Sequence, residues 1–404
     1  MRLIRVIDLT QHLSGPYCTW TLATLGADVI KVEAVGKGDG SRETPPFAGA
    51  RSIYFDSLNR GKRSVALDLK SAEGRTILAE LLRDADVLVE NFRPGVRDRL
   101  GCSDEDLEKI NSRLIVCSIS GFGQKGEFSK YPAYDIVAQA MSGMISINGS
   151  SGSQGVRVGF SIGDIAAGLF AAIGILGRLY ERDARGNHVK LPLDISMVGC
   201  QVAMLENAYA RFLNAGEVPS PMGSRHPSMA PFETYTASDG ALVIGLGTNA
   251  DWPRFCAAID AAEIEHDPRF RDTPARLANR DELDDVINGK LARHGVGYWL
   301  AALRAVNIAC APVMSVPDFA SSAYAKDTGA FTPVIDDPSA LYSRHPLAPP
   351  EPTPASPTLG EHTREVLLAL GYTAARIEEL AAAGCIQVAG REMTSDDRQA
   401  AAGR

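Results

Sequence analysis

Residues 3–33, LIRVIDLTQHLSGPYCTWTLATLGADVIKVE, carry the reading that decides the fold. Residues 3–8 (LIRVID) form a short apolar run of the length expected for a buried strand. Gly15-Pro16 opens a helix, because proline presets the backbone of a first helical turn and its missing N–H is not needed there. Gly26 closes that helix. Residues 28–33 (DVIKVE) then read as a second strand. Two strands joined through one helix by short links form a parallel, right-handed βαβ unit. The alternation continues with strands at 64–69, 86–90 and 114–118 and helices at 71–84 and 104–111, Ser71 being a favoured cap. The expected fold class is α/β, with a Rossmann-like large domain.

A dinucleotide fingerprint would place GxGxxG between the first strand and helix. TQHLSGPYC occupies that place with a single glycine, which disfavours a nicotinamide dehydrogenase. Gly36-Lys37-Gly38-Asp39-Gly40 precedes no clear helix and reads as a flexible loop, with a phosphate-cradling loop as the alternative. Farther along, residues 185–200 read as a strand entering a helix that runs to about residue 213. PFETYTASDGALVIGLG alternates around Asp239-Gly240 and reads as a β-hairpin. Helices follow at 251–260, 279–294 and 297–305. The expected organisation is a large domain over 1–200, a linker over 201–224, a small α+β domain over 225–320 and a return to the large domain over 321–386. Pro346 to Pro357 is a proline-rich crossing segment, and 387–404 a mobile tail.

The 404 residues suffice for two or three domains, and 45% apolar with 22% charged residues is ordinary globular composition. A net charge of −8 argues against a nucleic-acid partner and requires a local basic cluster for any anionic ligand. Lys62, Arg63, Lys70, Arg93, Arg97 and Arg99 supply one around the ends of two strands. The seven cysteines contain no CxxC pair, which argues against a disulfide framework and a structural zinc site. His188, His266, His294, His345 and His362 show no metal spacing, so no metal is expected. With neither a signal-like segment nor a convincing membrane span, the expectation is a cytoplasmic protein without a membrane partner.

A second stretch, RVGFSIGDIAAGLFAAIGILGRLYER (157–182), holds the chemistry. Asp164 stands before an apolar run and is a favoured N-cap type. Ile165, Leu169, Ala172, Ile173 and Leu176 recur at helical spacing, while Ala166, Ala167, Gly168, Ala171 and Gly174 leave a bare face. The pattern predicts a helix buried on most sides with one carboxylate at its mouth. Local pattern leaves Asp164 either a cap or a nucleophile.

Eight phrases in order bear on that choice: GADVIKVE (26–33), NRGKRSVALDLK (59–70), ADVLVENFRPGVRDRLG (85–101), SISGFGQKG (118–126), YDIVAQAMSG (134–143), GDIAAGL (163–169), APVMSV (311–316) and PTLGEHTREVL (357–367). Together they resemble the class III CoA-transferases, the group of formyl-CoA and carnitine CoA-transferases, to which methylacyl-CoA racemases are related. The resemblance implies a large domain built from both chain ends, a small domain between them, and an interlocked homodimer. It implies that Asp164 is the nucleophile, with Gln11, His12, Ser14, Tyr134, Asp135 and Gly163 lining the active site. Leu67, Lys70, Asn91, Phe92 and Arg99 match CoA-contacting positions, whereas Ala34 replaces a basic nucleotide contact. Tyr134 stands where the racemases carry a histidine, which favours transfer over racemisation. Between Asn214 and Phe232 there is no glycine run, which speaks against formyl or oxalate specificity. Arg225 and His226 are candidates to meet an acceptor carboxylate. The expected activity is CoA transfer between small or dicarboxylic acids such as succinate, mesaconate or malate. The CoA thioester is then a substrate, and no resident cofactor is expected. A racemase and a non-catalytic CoA-binding protein are the alternatives.

Overall fold

The computed structural model describes residues 3–186 and 192–390. His188 and the tail from 391 lie outside the described residues. The chain divides into two compact units: residues up to Met144, Arg157–Glu217 and those from Asp327 on form one, Ile145–Val156 and Val218–Lys326 the other.

The first unit opens with β1 (Arg5–Asp8), α1 (Ser14–Thr24) and β2 (Asp28–Glu33). It continues through β3 (Arg63–Leu67), α2 (Ala72–Arg83), β4 (Val87–Glu90) and β5 (Ile115–Ser120). α3 (Asp135–Met141), α4 (Ile162–Ala184), β6 (Leu193–Ser196), α5 (Met197–Met204) and α6 (Glu206–Ala215) complete its central part. The helix expected to run unbroken to residue 213 is thus interrupted at Leu205. In the second unit, β7 (Phe232–Ala237), β8 (Gly240–Gly245) and β9 (Ala309–Pro312) form an antiparallel sheet over a core that includes Tyr235, Phe255, Phe270, Leu283 and Trp299. The chain then returns to the first unit through α7 (Thr363–Ala369), α8 (Ala374–Ala382) and β10 (Ile386–Gln387).

The main sheet runs in the order β10-β3-β2-β1-β4-β5-β6, and all its pairs are parallel except β10 on β3. The order reverses between β1 and β4. Successive crossovers leave that point in opposite directions, so the loops after these two strands part and open a crevice at the carboxyl edge.

α4 departs from expectation in two ways. It begins at Ile162, so Asp164 lies inside its first turn, and Ser161 makes no side-chain cap. The cap comes from elsewhere: the Asp135 carboxylate accepts the Gly163 N–H at 2.8 Å. The face turned inward is the small one, with Ala166, Ala167, Gly168, Ala171 and Ala172 buried. A Cβ on Gly168 would lie 2.7 Å from the Ser14 carbonyl oxygen, so the bare face is what lets α1 pack directly on α4. Leu169, Phe170, Ile173, Leu176 and Tyr180 are left exposed on the single chain. By length and composition α4 is also the one described helix that could cross a membrane.

A set of charges is buried within the sheet. Lys31 lies wholly inside β2, 2.8 Å from Asp39 Oδ2, and donates to the Thr10 carbonyl at 2.7 Å. Lys62 is equally enclosed and donates to Asp8, Thr19 and Asn59. Burial alone would raise the Asp8 carboxyl, but Lys31, Lys62 and the Thr10 and Thr19 hydroxyls bring it down to about 2. Burial pushes the Lys62 ammonium to about 8, against the pull of Asp8.

Candidate active site

A cleft of about 570 Å³ opens at the reversal point of the sheet. Its walls are the loop after β1 (Gln11 to Ser14), the segment after β4 (Asn91 to Pro94), the end of β5, the start of α3 and the first turn of α4. It brings together Gln11, His12, Ser14, Asn91, Phe92, Tyr134, Asp135 and Asp164 of the residues expected from sequence.

Asp164 is partly buried at the cleft. Burial raises its carboxyl to about 6, the neighbouring Asp135 carboxylate adds to the rise, and a hydrogen bond from the Ser14 hydroxyl opposes it. A carboxylate in the first turn of a helix is ordinarily favoured by the helix dipole. Here desolvation and like charge outweigh that effect, so the group sits near the edge of its ionised range at neutral pH.

Asp135 is fixed on both oxygens. Oδ1 takes the Gly163 N–H, and Oδ2 accepts from Gln139 Nε2 at 2.6 Å. A Cβ at residue 163 would lie 2.1 Å from Gln201 Nε2 and 3.0 Å from Asp135 Oδ1, which explains the glycine before Asp164. Gly163 therefore supports the site, but its N–H is already engaged.

The loop after β1 is clamped from outside. Asn91 accepts the Gln11 N–H and donates to the Gln11 carbonyl, both at 2.8 Å. Asp39 accepts the His12 N–H at 3.0 Å, and His12 holds a left-handed φ of 64°. Such a backbone is uncommon outside glycine and is kept here by the surrounding bonds. The first backbone bond of α1 runs from Tyr17 N–H to the Leu13 carbonyl, leaving the N–H groups of Ser14 and Gly15 without a partner inside the helix.

The other expected site residues lie elsewhere. Leu67 is buried in the core at the end of β3, while Lys70 is exposed on the turn after β3 and Arg99 at the end of a short helical turn, Val96–Arg99, after β4, both outside the cleft lining. Within the basic cluster, Lys62 pairs with Asp8, Arg63 with Asp28 and Glu365, and Arg97 with Asp104. Those three are committed to the protein's own carboxylates. In the second unit, Arg225 bonds Asp281 and Asp284 and lies 3.4 Å from Glu233. The His226 ring packs on Phe232, and its Nδ1 accepts the Ser228 N–H.

Sequence reasoning missed Tyr54 and Arg157. Burial, followed by the Asp164 and Asp39 charges, raises the Tyr54 phenol to about 12, so it stays a hydrogen-bond donor at the cleft wall. Tyr54 had no local signal. Arg157 did stand at the head of the quoted stretch, ahead of GFSIGD, but carried no pattern of its own.

The sequence profile of CoA-transferase family III matches residues 1–363. The chain is 39% identical over 364 residues to an acetyl-CoA:oxalate CoA-transferase of Acetobacter aceti, covering 88% of this chain and 92% of the relative. It is 35% identical over 395 residues to the succinyl-CoA:glutarate CoA-transferase of Mus musculus, covering 95% and 89%. A CAIB/BAIF family protein from Brucella suis has a similar crystal structure, with a TM-score of 0.80 at 31% identity, covering 91% of this chain and 98% of that one.

Proposed function

The chain belongs to CoA-transferase family III and is a CoA-transferase, and we propose that it carries CoA from an acyl-CoA to a free dicarboxylic acid through covalent intermediates on Asp164. The observation that carries this reading is one partly buried carboxylate, raised to about 6, at the crevice of the sheet and beside the N-terminus of α1. Asp164 attacks the thioester carbonyl, forming a mixed anhydride and releasing CoA thiolate. The thiolate attacks the aspartyl carbonyl, giving an aspartyl-CoA thioester and freeing the donor acid. The acceptor carboxylate attacks that thioester, and the CoA released then takes the new acyl group from the second anhydride. Each tetrahedral oxyanion needs donors, and the Ser14 and Gly15 N–H groups with the Tyr54 phenol are our candidates.

Succinate and glutarate are the first acceptors to try. Oxalate stays among them, because the Acetobacter aceti relative is named for it. Incubating acyl-CoA donors with a panel of acids, read by mass spectrometry, tests the assignment. New dicarboxyl-CoA products are expected. α-Deuterium uptake in deuterated water without transfer would instead identify a racemase.

For the nucleotide we assign the exposed Lys70 and Arg99, with Phe92, Asn91 and the backbone around Leu67 at the same edge. Arg99→Ala or Lys70→Ala should raise the acyl-CoA KM about tenfold, the loss of one charged phosphate contact. Unchanged KM values would move the nucleotide elsewhere. We further infer a cytoplasmic, interlocked homodimer. The exposed stripe of Leu169, Phe170, Ile173, Leu176 and Tyr180 on α4 supports a partner surface. Light scattering should find a dimer after dilution to nanomolar concentration, and a folded monomer would overturn it.

The elevated Asp164 carboxyl sets a pH dependence. Only the ionised form attacks, so the rate of the first half-reaction should fall tenfold per pH unit below about 6. A rate that stays flat down to the ordinary carboxylate value of 3.8 would contradict this.

A further inference from the structure

The cleft contains charges of both signs near the reacting carboxylate. Arg93 and Arg157 are the cations among its arginine and lysine lining residues, and Asp135 and Asp164 the carboxylates. Arg93 stands next to Phe92, on the segment after β4 that the nucleotide reading uses. Arg157 belongs to the Asp164 end. Its guanidinium lies 3.9 Å from Asp135 Oδ2, and Asp135 in turn acts on Asp164.

Arg157 is positioned but not saturated. Its side chain remains 46% exposed, and 3.9 Å to Asp135 is a long contact for an ion pair. Asp135 already has its close partners in Gln139 and Gly163. The backbone beside Arg157 is fixed by the same glutamine: Val158 N–H donates to Gln139 Oε1 at 2.8 Å, and Gln139 Nε2 reaches the Phe160 carbonyl at 3.3 Å. Gln139 is fully buried, so one side chain sets both Asp135 and the segment carrying Arg157. Arg225, by contrast, is held by carboxylates of its own unit.

We propose that Arg157 binds the distal carboxylate of a dicarboxylic substrate and thereby sets the preference for diacids over monoacids. The inference rests on the dicarboxylate reading above. When one carboxylate of a diacid reacts at Asp164, the other lies one chain length away in a cleft that already holds two carboxylates. Without a cation it would meet repulsion and desolvation together. A guanidinium with donors to spare offers a planar fork that matches a carboxylate. A monocarboxylate has no group to place there.

The test is the ratio of kcat/KM for glutarate to that for valerate, and for succinate to that for butyrate, with one fixed donor. The wild type should favour the diacid of each pair. Arg157→Ala should reduce the ratio on the order of 10- to 100-fold, mainly through the diacid KM, and Arg157→Lys should restore part of it. Hydroxylamine trapping with acetyl-CoA should still mark Asp164 in both variants, which shows an assembled site. A wild-type preference that survives Arg157→Ala overturns the assignment alone. A wild type indifferent to the second carboxylate overturns the dicarboxylate reading, and the assignment with it.

Discussion

Asp164→Asn should reduce CoA transfer by about 10⁴- to 10⁶-fold, the scale on which removing a covalent nucleophile acts, while the protein melts at or above the native temperature. Asparagine keeps the shape of the side chain and can still accept the Ser14 hydrogen bond, but it cannot form the anhydride. The stability direction follows from the raised carboxyl. An acid whose folded value is about 6 against an ordinary 3.8 makes its ionised form a cost to the native state above pH 6. That cost is relieved as pH falls through 6 toward 3.8, and asparagine removes it at every pH. Activity and stability therefore move in opposite directions at pH 8. Wild-type enzyme given donor alone should yield an aspartyl hydroxamate on the peptide containing Asp164, and the variant none. Intact mass must exclude deamidation back to aspartate. Transfer at close to the native rate by mass-verified Asp164→Asn would remove the mechanism.

The largest stability effect should come from Lys31→Met. Lys31 is fully enclosed, paired with Asp39, and near enough to Asp8 and Glu33 that these raise its ammonium despite burial. Methionine fills similar space but leaves Asp39 charged and buried. Breaking a buried pair from one side costs about 3–5 kcal/mol, more than the pair itself contributes. Asp39 also holds the His12 N–H, and Lys31 the Thr10 carbonyl, so the loop forming one cleft wall should loosen as well. The acid side of the stability curve supplies an independent readout. Asp8 is held at about 2 and Asp39 well below the usual range, so their stabilisation is present above 3.8 and lost as pH falls toward 2. Lys31→Met should flatten that acid loss while lowering stability at neutral pH. The pair Lys31→Met with Asp39→Asn should recover part of the deficit, because no lone charge remains buried. Thermal melts within a degree of wild type for Lys31→Met would show that the network is not held by this pair.

The sequence by itself determined the α/β class and the family. Strand and helix periods are local properties, and β2 and the Ser71 cap of α2 stand where periodicity and cap chemistry place them. Eight phrases in order supplied the family because each meets a separate local demand of one fold. Asp164 was prominent in sequence because a glycine, an aspartate and a bare helical face occur together there. The remainder depended on contacts between distant segments. Nothing around Asp164 foretells that Asp135 caps its helix or that burial, with the Asp135 charge, displaces its titration. Lys62 and Arg63 read as part of a basic cluster for an anionic ligand, yet tertiary packing gives them Asp8, Asp28 and Glu365. Lys31 and Glu33 read as ordinary strand residues and prove to be buried charges. Arg157 drew no notice because a lone arginine has no pattern. Its meaning arises only when Gln139 brings its segment beside Asp135. Periodicity reports which face of an element is apolar, but charge, burial and titration depend on which segments meet, and the crossovers of the sheet decide that.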